Sequence, residues 1–480
     1  MNNAMFERYE AYKDSGIERL GDVPVHWDVI RVKDTVMKIG NGVTPKGGSQ
    51  IYTETGIPFL RSQNVYDDGL RIANVSFISK EIHNCMKGSQ LKAGDILINI
   101  TGASIGRTCV VPAKLGIANI NQHIAFLRPK FWFNVGYISI FIKSPFTKNY
   151  IQFEQNGASK EAFNLNQIAN IPLLLPKPAE QQAIVTYLDT KTAQIDRKID
   201  LLNQKATQYG KLKQSIINET VTRGLDKTVA MNDSGIEWIG EIPAHWEIKR
   251  IKDTTYVKGR IGWQGLRNED FLATGDYFCV TGTDLRNGAI DWTNCYFVDQ
   301  NRFYQDPYIQ LRINDILITK DGTIGKVAVV ENLPLPATLN SGVFVTRPIK
   351  FFYLTNFIYW IYNSSQFTAY IDLTKGGSTI QHLYQNVFNR FIFTLPSLPE
   401  QTAIAAYLDE KTAKIDQIIT TINIQIDKLK ELRKTLINDV VTGKIKVFDE
   451  NKDKLTTDPV DYAKWKLGLD ENVSIEANAS

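Results

Sequence analysis

Several short, glycine-punctuated stretches of this chain concentrate guanidinium, ammonium and carboxamide side chains, the groups that read nucleic acid. Arg and Lys donate to the acceptor edge of guanine, and Asn or Gln matches the donor–acceptor edge of adenine. Ser and Thr serve either, and phosphates take Lys, Arg and backbone amides. In the first half the candidates are Lys46 and Gln50 in Thr44–Gln50, then Arg61, Gln63 and Asn64 in one phrase. Ser104 and Arg107 flank a glycine turn, Asn121, Gln122 and His123 are consecutive, and Lys160 lies in an Asn-Gly-Ala-Ser-Lys run. In the second half they are Arg260, Trp263, Gln264, Arg267, Thr283, Lys320, Thr323, Lys326, Asn340, Lys375, Ser378 and Gln381. Lys326 aligns with Arg107, whereas Lys46 has no clear counterpart. The bland alternative is that loop amides satisfy turn backbone and the cations are merely solvated. Charge distribution favours a polyanion partner: residues 1–178 carry +6 and the remainder −2, and no acid lies between Asp95 and Glu154.

Catalytic constellations are not recognisable. An exocyclic-amine methyltransferase needs an aromatic-Pro-Pro loop for the flipped base, and Asp306-Pro307-Tyr308 lacks the second Pro. Gly322-Thr323-Ile324-Gly325-Lys326 is too short for a phosphate loop, with Val327 where Ser or Thr is required. The five histidines (His26, His83, His123, His245, His382) show no metal-ligand spacing. His26 and His245 each precede a Trp, which fits a structural role. The expectation is a chain that is not an enzyme, with no metal and no cofactor of its own.

The elements that must position these loops are written twice. Asp14-Ser15-Gly16-Ile17-Glu18 recurs as Asp233-Ser234-Gly235-Ile236-Glu237, and Pro24, His26, Trp27 recur as Pro243, His245, Trp246. Gly94–Ile98 (GDILI) matches Asn314–Ile318 (NDILI), Ile105-Gly106 matches Ile324-Gly325, and Arg128-Pro129 matches Arg347-Pro348. Glu180-Gln181 matches Glu400-Gln401. A repeat at this length signals duplicated architecture. Each copy opens with short apolar runs broken by Gly, Asn and Pro, read as an α+β domain. Each then enters a stretch almost free of Gly and Pro. There apolar residues recur every seven: Leu188, Ile195, Leu202, Tyr209, Ile216, and Leu408, Ile415, Ile422, Leu429, Leu436. Seven-residue spacing marks a coiled-coil seam, and roughly 43 helical residues give a rod of about 65 Å.

The expected fold is therefore α+β, with two tandem recognition domains, each followed by a long helix, the helices packing as an antiparallel coiled coil. Boundaries are expected at 1–178 and 223–398 for the domains, 179–222 and 399–442 for the helices, and 443–480 for a polar tail. The cysteines Cys85, Cys109, Cys279 and Cys295 form no C-x-x-C pair and read as free thiols. With neither a signal peptide nor a membrane-spanning apolar run, a cytoplasmic location is expected.

Together the phrases SGIExxGxxPxHW (15–27, 234–246), GDIL…TG…IG (94–106) with NDIL…DG…IG (314–325), and Leu-Pro…Glu-Gln (from Leu175 and Leu395) resemble type I restriction–modification specificity subunits over about residues 14–445. The resemblance implies that each α+β domain reads one half of a split double-stranded DNA target and that the helices act as a spacer. It implies two modification subunits forming an adenine methyltransferase that uses S-adenosylmethionine, and ATP-driven restriction subunits. Two readers in one chain also place half-sites about one DNA turn, ~34–36 Å, apart. Because the copies differ, the halves are expected to be non-identical. The competing reading is a stand-alone DNA-binding or anti-restriction adaptor without methyltransferase partners.

Overall fold

The apolar runs become strands in a frame that occurs twice in this computed structural model, which describes residues 7–155, 162–374 and 382–448. The chain divides into two units, Met1–Leu202 with Ile424–Ser480, and Asn203–Asn423.

In unit 1 the strands are β1 (Val36–Asn41), β2 (Ile57–Leu60), β3 (Ser76–Ile78), β4 (Ile96–Asn99), β5 (Thr108–Val110), β6 (Asn119–Ile120) and β7 (Ile124–Pro129). They form an antiparallel sheet in the order β5-β4-β7-β1 and a second sheet in the order β6-β2-β3. Every residue of β4 is buried. Alternate side chains of a strand leave on opposite faces, so Ile96 and Ile98 enter one core while Leu97 enters another. Helix α1 (Val135–Lys143) buries Tyr137, Ile138, Phe141 and Ile142 in the first core, where the long helix α2 (Pro178–Arg223) adds Ile184, Tyr187 and Leu188.

Unit 2 repeats the plan with β8 (Thr255–Gly259), β9 (Tyr277–Val280), β10 (Tyr296–Val298), β11 (Ile316–Thr319), β12 (Val327–Val329), β13 (Ala337–Leu339) and β14 (Val343–Pro348). Its sheets run β8-β14-β11-β12 and β10-β9-β13. Helix α3 (Thr355–Tyr362) and the long helix α4 (Leu398–Val441) complete it.

Both long helices contribute to the cores of the units. Leu429, Leu432 and Leu436 of α4 pack with α2 residues Ile195, Ile199 and Leu202 in the core of unit 1. Ile216, Ile217 and Val221 of α2 join Ile404, Ala405 and Leu408 of α4 in unit 2. The beginning of each helix thus meets the end of the other, an antiparallel pairing. Arg433 bonds Asp196 at 2.9 Å in unit 1, and Lys213 bonds Asp416 at 2.6 Å in unit 2. Asp196 and Asp416 are the same position of the repeat, as are Lys213 and Arg433. All five seam residues of α4 are buried, whereas on α2 only Leu188 is, and Ile195, Leu202, Tyr209 and Ile216 are half-buried.

The repeated phrases turn out to be fastenings. Glu180, 2% exposed in the first turn of α2, accepts from Tyr9 Oη (2.6 Å), His26 Nε2 (3.0 Å) and Trp27 Nε1 (3.1 Å). Because a carboxylate only accepts, the His26 proton sits on Nε2. Burial and the Glu180 charge push the Tyr9 phenol far above its ordinary range. Glu400 repeats the arrangement with His245 (2.9 Å) and Trp246 (3.2 Å), adding Ser397 in place of a tyrosine. The GDIL, NDIL and Arg-Pro phrases meet in a second fastening. Asp95 takes Nε and Nη2 of Arg128, both at 2.7 Å, and Asp315 takes those of Arg347 at 2.6 and 2.8 Å. Such bidentate pairs fix geometry on two bonds at once.

Candidate nucleic-acid interface

Strand register gathers the candidate loops. In unit 1 the last residue of β1, Asn41, lies opposite Ala125, and the last of β4, Asn99, lies opposite Ile124, where β7 begins. The parallel pair β2 and β6 ends at Leu60 and Ile120. The segments after β1, β2 and β4, and the one between β6 and β7, therefore leave one end of the frame together. They carry Lys46 and Gln50, Arg61 to Asn64, Ser104 and Arg107, and Asn121 to His123. Unit 2 repeats this: Gly259 faces Phe344, Thr319 faces Val343, and Val280 lies beside Leu339. Arg260, Gln264, Arg267, Thr283, Lys320, Thr323, Lys326 and Asn340 follow those strand ends. Lys160, Lys375, Ser378 and Gln381 lie outside the described residues, as does most of the tail.

The gathered residues divide by burial. Lys46, Gln50, Gln63, Gln122, Arg267, Thr283, Thr323 and Lys326 are exposed. Arg61, Ser104, Arg107, His123, Lys320 and Asn340 are half-buried. A hydrogen-bonded chain crosses the unit 1 surface: Thr44 Oγ1 to Gln122 Oε1, Gln122 Nε2 to His123 Nε2 (3.1 Å), and His123 Nδ1 to Thr101 Oγ1 (2.7 Å). Because Gln122 donates to Nε2, the His123 proton belongs on Nδ1. Arg107 lies 4.7 Å and Arg71 5.0 Å from the Tyr66 ring centroid, holding two guanidiniums on one aromatic. Burial pulls the Lys320 ammonium below the usual lysine range.

Four candidates are buried instead. Asn64, 2% exposed, accepts from Arg61 N and donates to Arg71 O, closing its own loop. Asn121 accepts from His123 N. Arg260, 2% exposed, donates to Leu339 O, Thr338 Oγ1 and Gln305 Oε1, and burial lowers its pKa. Gln264 is 7% exposed.

Sequence reasoning missed Tyr66, Arg71, Asp321 and the placement of His382. Residues 101 and 321 are equivalent, and each forms an isolated bridge, Thr101 to Ala162 and Asp321 to His382. Each also holds a histidine Nδ1, that of His123 and of His382 respectively. The two histidines come from different loops, so only the folded topology shows that they converge on one repeat position. The glycine turn beside them is legible in sequence: Gly102 and Gly322 adopt φ of 66° and 67°, and Gly106 and Gly325 adopt 80° and 85°, conformations that favour glycine.

A strand frame with polar loops gathered at one end, present twice and carrying different residues in its loops each time, defines a duplicated nucleic-acid recognition scaffold. The sequence model described as the type I restriction modification DNA specificity domain matches residues 24–208 and again 243–428, and the chain belongs to that family. It is 23% identical over 442 residues to a putative type I restriction enzyme MjaX specificity subunit of Methanocaldococcus jannaschii, covering 91% of this chain and 98% of that one. It is 22% identical over 454 residues to the EcoKI specificity subunit of Escherichia coli, covering 88% and 90%. Among solved structures, a chain from a study of type I R-M assembly and conformational transition superposes with a TM-score of 0.68 at 15% identity, covering 87% and 98%. The HsdS subunit of Thermoanaerobacter tengcongensis gives 0.51 at 16%, covering 88% and 98%.

Proposed function

We propose that this chain is the DNA-reading subunit of a type I restriction–modification assembly, working in the cytoplasm. Each unit reads one half of an asymmetric, double-stranded target whose middle is left unread. The observation that carries this is the gathering of cationic, amide and hydroxyl loops at the same strand ends in both units. Exposed Lys46, Gln50, Gln63, Gln122, Arg267, Thr283, Thr323 and Lys326, with half-buried Arg61, Ser104, Arg107, His123, Lys320 and Asn340, meet bases and phosphates. Buried Asn64, Asn121, Arg260 and Gln264 hold the loops in shape. Lys160, Lys375, Ser378 and Gln381 are proposed to extend the same surfaces.

The chain does no chemistry of its own. Two modification subunits bind it and methylate adenine with S-adenosylmethionine, and restriction subunits using ATP join for cleavage. The test is to exchange residues 40–170 for the matching region of a relative with another specificity. The chimera is co-expressed with the modification subunits, and methylated adenines are mapped across a genome. One half of the target changes and the other persists. A change in both halves, or no methylation at any gapped site with the unaltered chain, overturns the proposal.

A further inference from the structure

Away from the loop ends, each unit presents an aromatic tip to solvent. Phe131 is 89% exposed, its neighbour Trp132 60%, and Phe351 85%. Phe131 and Phe351 occupy the same repeat position, each four residues before the first residue of its helix, Val135 of α1 and Thr355 of α3. Each follows a lysine, Lys130 or Lys350. Each sits in a four-residue turn closed by a backbone bond, Phe133 N to Lys130 O (3.1 Å) or Phe352 N to Ile349 O (3.3 Å). In unit 2 both central residues, Lys350 and Phe351, have positive φ, 51° and 56°, a conformation that bulky side chains rarely adopt. A solvent-exposed phenylalanine thus stands on a backbone that resists it, and large exposed apolar groups on a turn mark contact surfaces.

The tips lie at the far end of the strands from the reading loops. β7 and β14 each begin at the loop cluster and run six residues to Pro129 and Pro348, about 20 Å at strand rise. The tips flank the start of a long helix. Asn134 Nδ2 donates to Gln182 Oε1 in α2 (2.9 Å), and Leu354 N donates to Gln401 Oε1 in α4 (2.8 Å). In unit 2 the tip borders a cleft of about 600 Å³ running from Ile313 and Leu354 to Ala405 and Ala406 of α4. Ile313 is 58% and Leu354 37% exposed.

We propose that these tips are the anchors for two copies of one protein partner, one copy per unit. The partner presents an apolar pocket that takes the aromatic ring, with an acidic rim facing the exposed Lys350 in unit 2, whereas Lys130 in unit 1 is held by Asp34 O (2.9 Å) and lies over the Trp132 ring. Two equivalent anchors in a duplicated chain fit a partner present twice, and their distance from the loop ends leaves the DNA surface clear. On the function proposed above, that partner is the modification subunit.

Three variants of the full chain, F131A/W132A, F351A and all three together, are co-expressed with the modification subunit of the same system and weighed by native mass spectrometry. The unaltered chain retains two modification subunits, each partial variant retains one, and the triple variant none. Kd at the altered site rises at least about thirty-fold, the low end for truncating a buried aromatic anchor. DNA binding by the isolated chain is unchanged. Two retained copies in every variant would overturn the docking site alone, and loss of DNA binding with two copies retained would reassign the tips to DNA. If the unaltered chain retained no modification subunit, the proposed function would fail with it.

Discussion

The two glutamate fastenings share sequence and differ in burial, so the same substitution must have unequal consequences. Removing the Glu180 carboxylate strands three donors. Trp27 is fully buried and Tyr9 is 8% exposed, so neither reaches water, while the His26 side chain, 35% exposed, can turn outward. A buried donor left unpaired costs roughly 1–3 kcal/mol, so two give about 4 kcal/mol for Glu180→Ala. The Glu400 side chain is 37% exposed and that of His245 50%, so water reaches that part of the site, and Glu400→Ala strands one buried donor, Trp246 Nε1 on a residue 6% exposed, at about 2 kcal/mol. Both carboxylates sit in the first turn of a helix and favour its dipole equally, so that contribution cancels in the comparison. The difference of about 2 kcal/mol corresponds to a local-opening equilibrium shifted about thirty-fold further in unit 1 than in unit 2. Amide hydrogen exchange with mass spectrometry reads this directly on peptides spanning 178–190 and 398–410. Local opening is the right quantity, because a chain of two units has no single unfolding free energy. Equal acceleration at the two helix starts, or a larger one at α4, would show that burial does not set the strength of these fastenings.

Other consequences are quicker to state. Burial opposes ionisation of Glu400, but bonds from His245, Ser397 and Trp246 outweigh it and hold its pKa below the ordinary carboxylate value. Stability from this group is full above the unfolded carboxylate pKa and drains as pH falls through the lower folded one. Acid titration of exchange at 398–410 should show that loss, and Glu400→Gln should flatten it. Deleting matched heptads, 203–209 from α2 and 420–426 from α4, preserves both interhelical ion pairs and removes about 10 Å of helix. Methylation mapping is expected to show the unread gap about three base pairs shorter with both halves intact; altered halves with an unaltered gap refute the spacer role. Burial pushes the Cys109 and Cys279 thiols up to about 12, and that of Cys295 higher still, while Cys85 is exposed. Iodoacetamide should therefore label Cys85 alone in the folded protein, as peptide mapping would show.

The long helices were legible because a seven-residue period is local: Leu408 through Leu436 announce a seam with no knowledge of the partner. The partial exposure of Ile195, Leu202, Tyr209 and Ile216 was not, since it depends on what the other helix brings to each level. Loop candidates were legible as residue types, because base-reading chemistry has few side chains to choose from. Which of them face water was not. Arg107 and Arg260 look alike in sequence, yet one lies against Tyr66 and the other is sealed beneath Leu339 and Thr338. That difference is set by strand pairings between residues some 80 positions apart, such as Gly259 with Phe344. That each helix half contributes side chains to a core was likewise not legible, because it depends on the folded pairing.

Comparison of the two copies inside one chain separates what the fold requires from what recognition uses. Several of the positions that match across the repeat make directed bonds into the frame: Asp95 with Arg128 and Asp315 with Arg347, Glu180 with Trp27 and Glu400 with Trp246, Asp196 with Arg433 and Asp416 with Lys213. Replacing Arg128 or Arg347 leaves a buried carboxylate, Asp95 or Asp315, without its partner. The positions that differ follow strand ends, where a side chain can change without altering register. The histidine site shows how far this goes. Thr101 takes His123 from the loop before β7, while Asp321 takes His382 from beyond α3, so one place on the frame is furnished from two different loops. A frame that tolerates such exchange can acquire a new reading surface in one unit without refolding the other, as a subunit with independently variable half-sites requires.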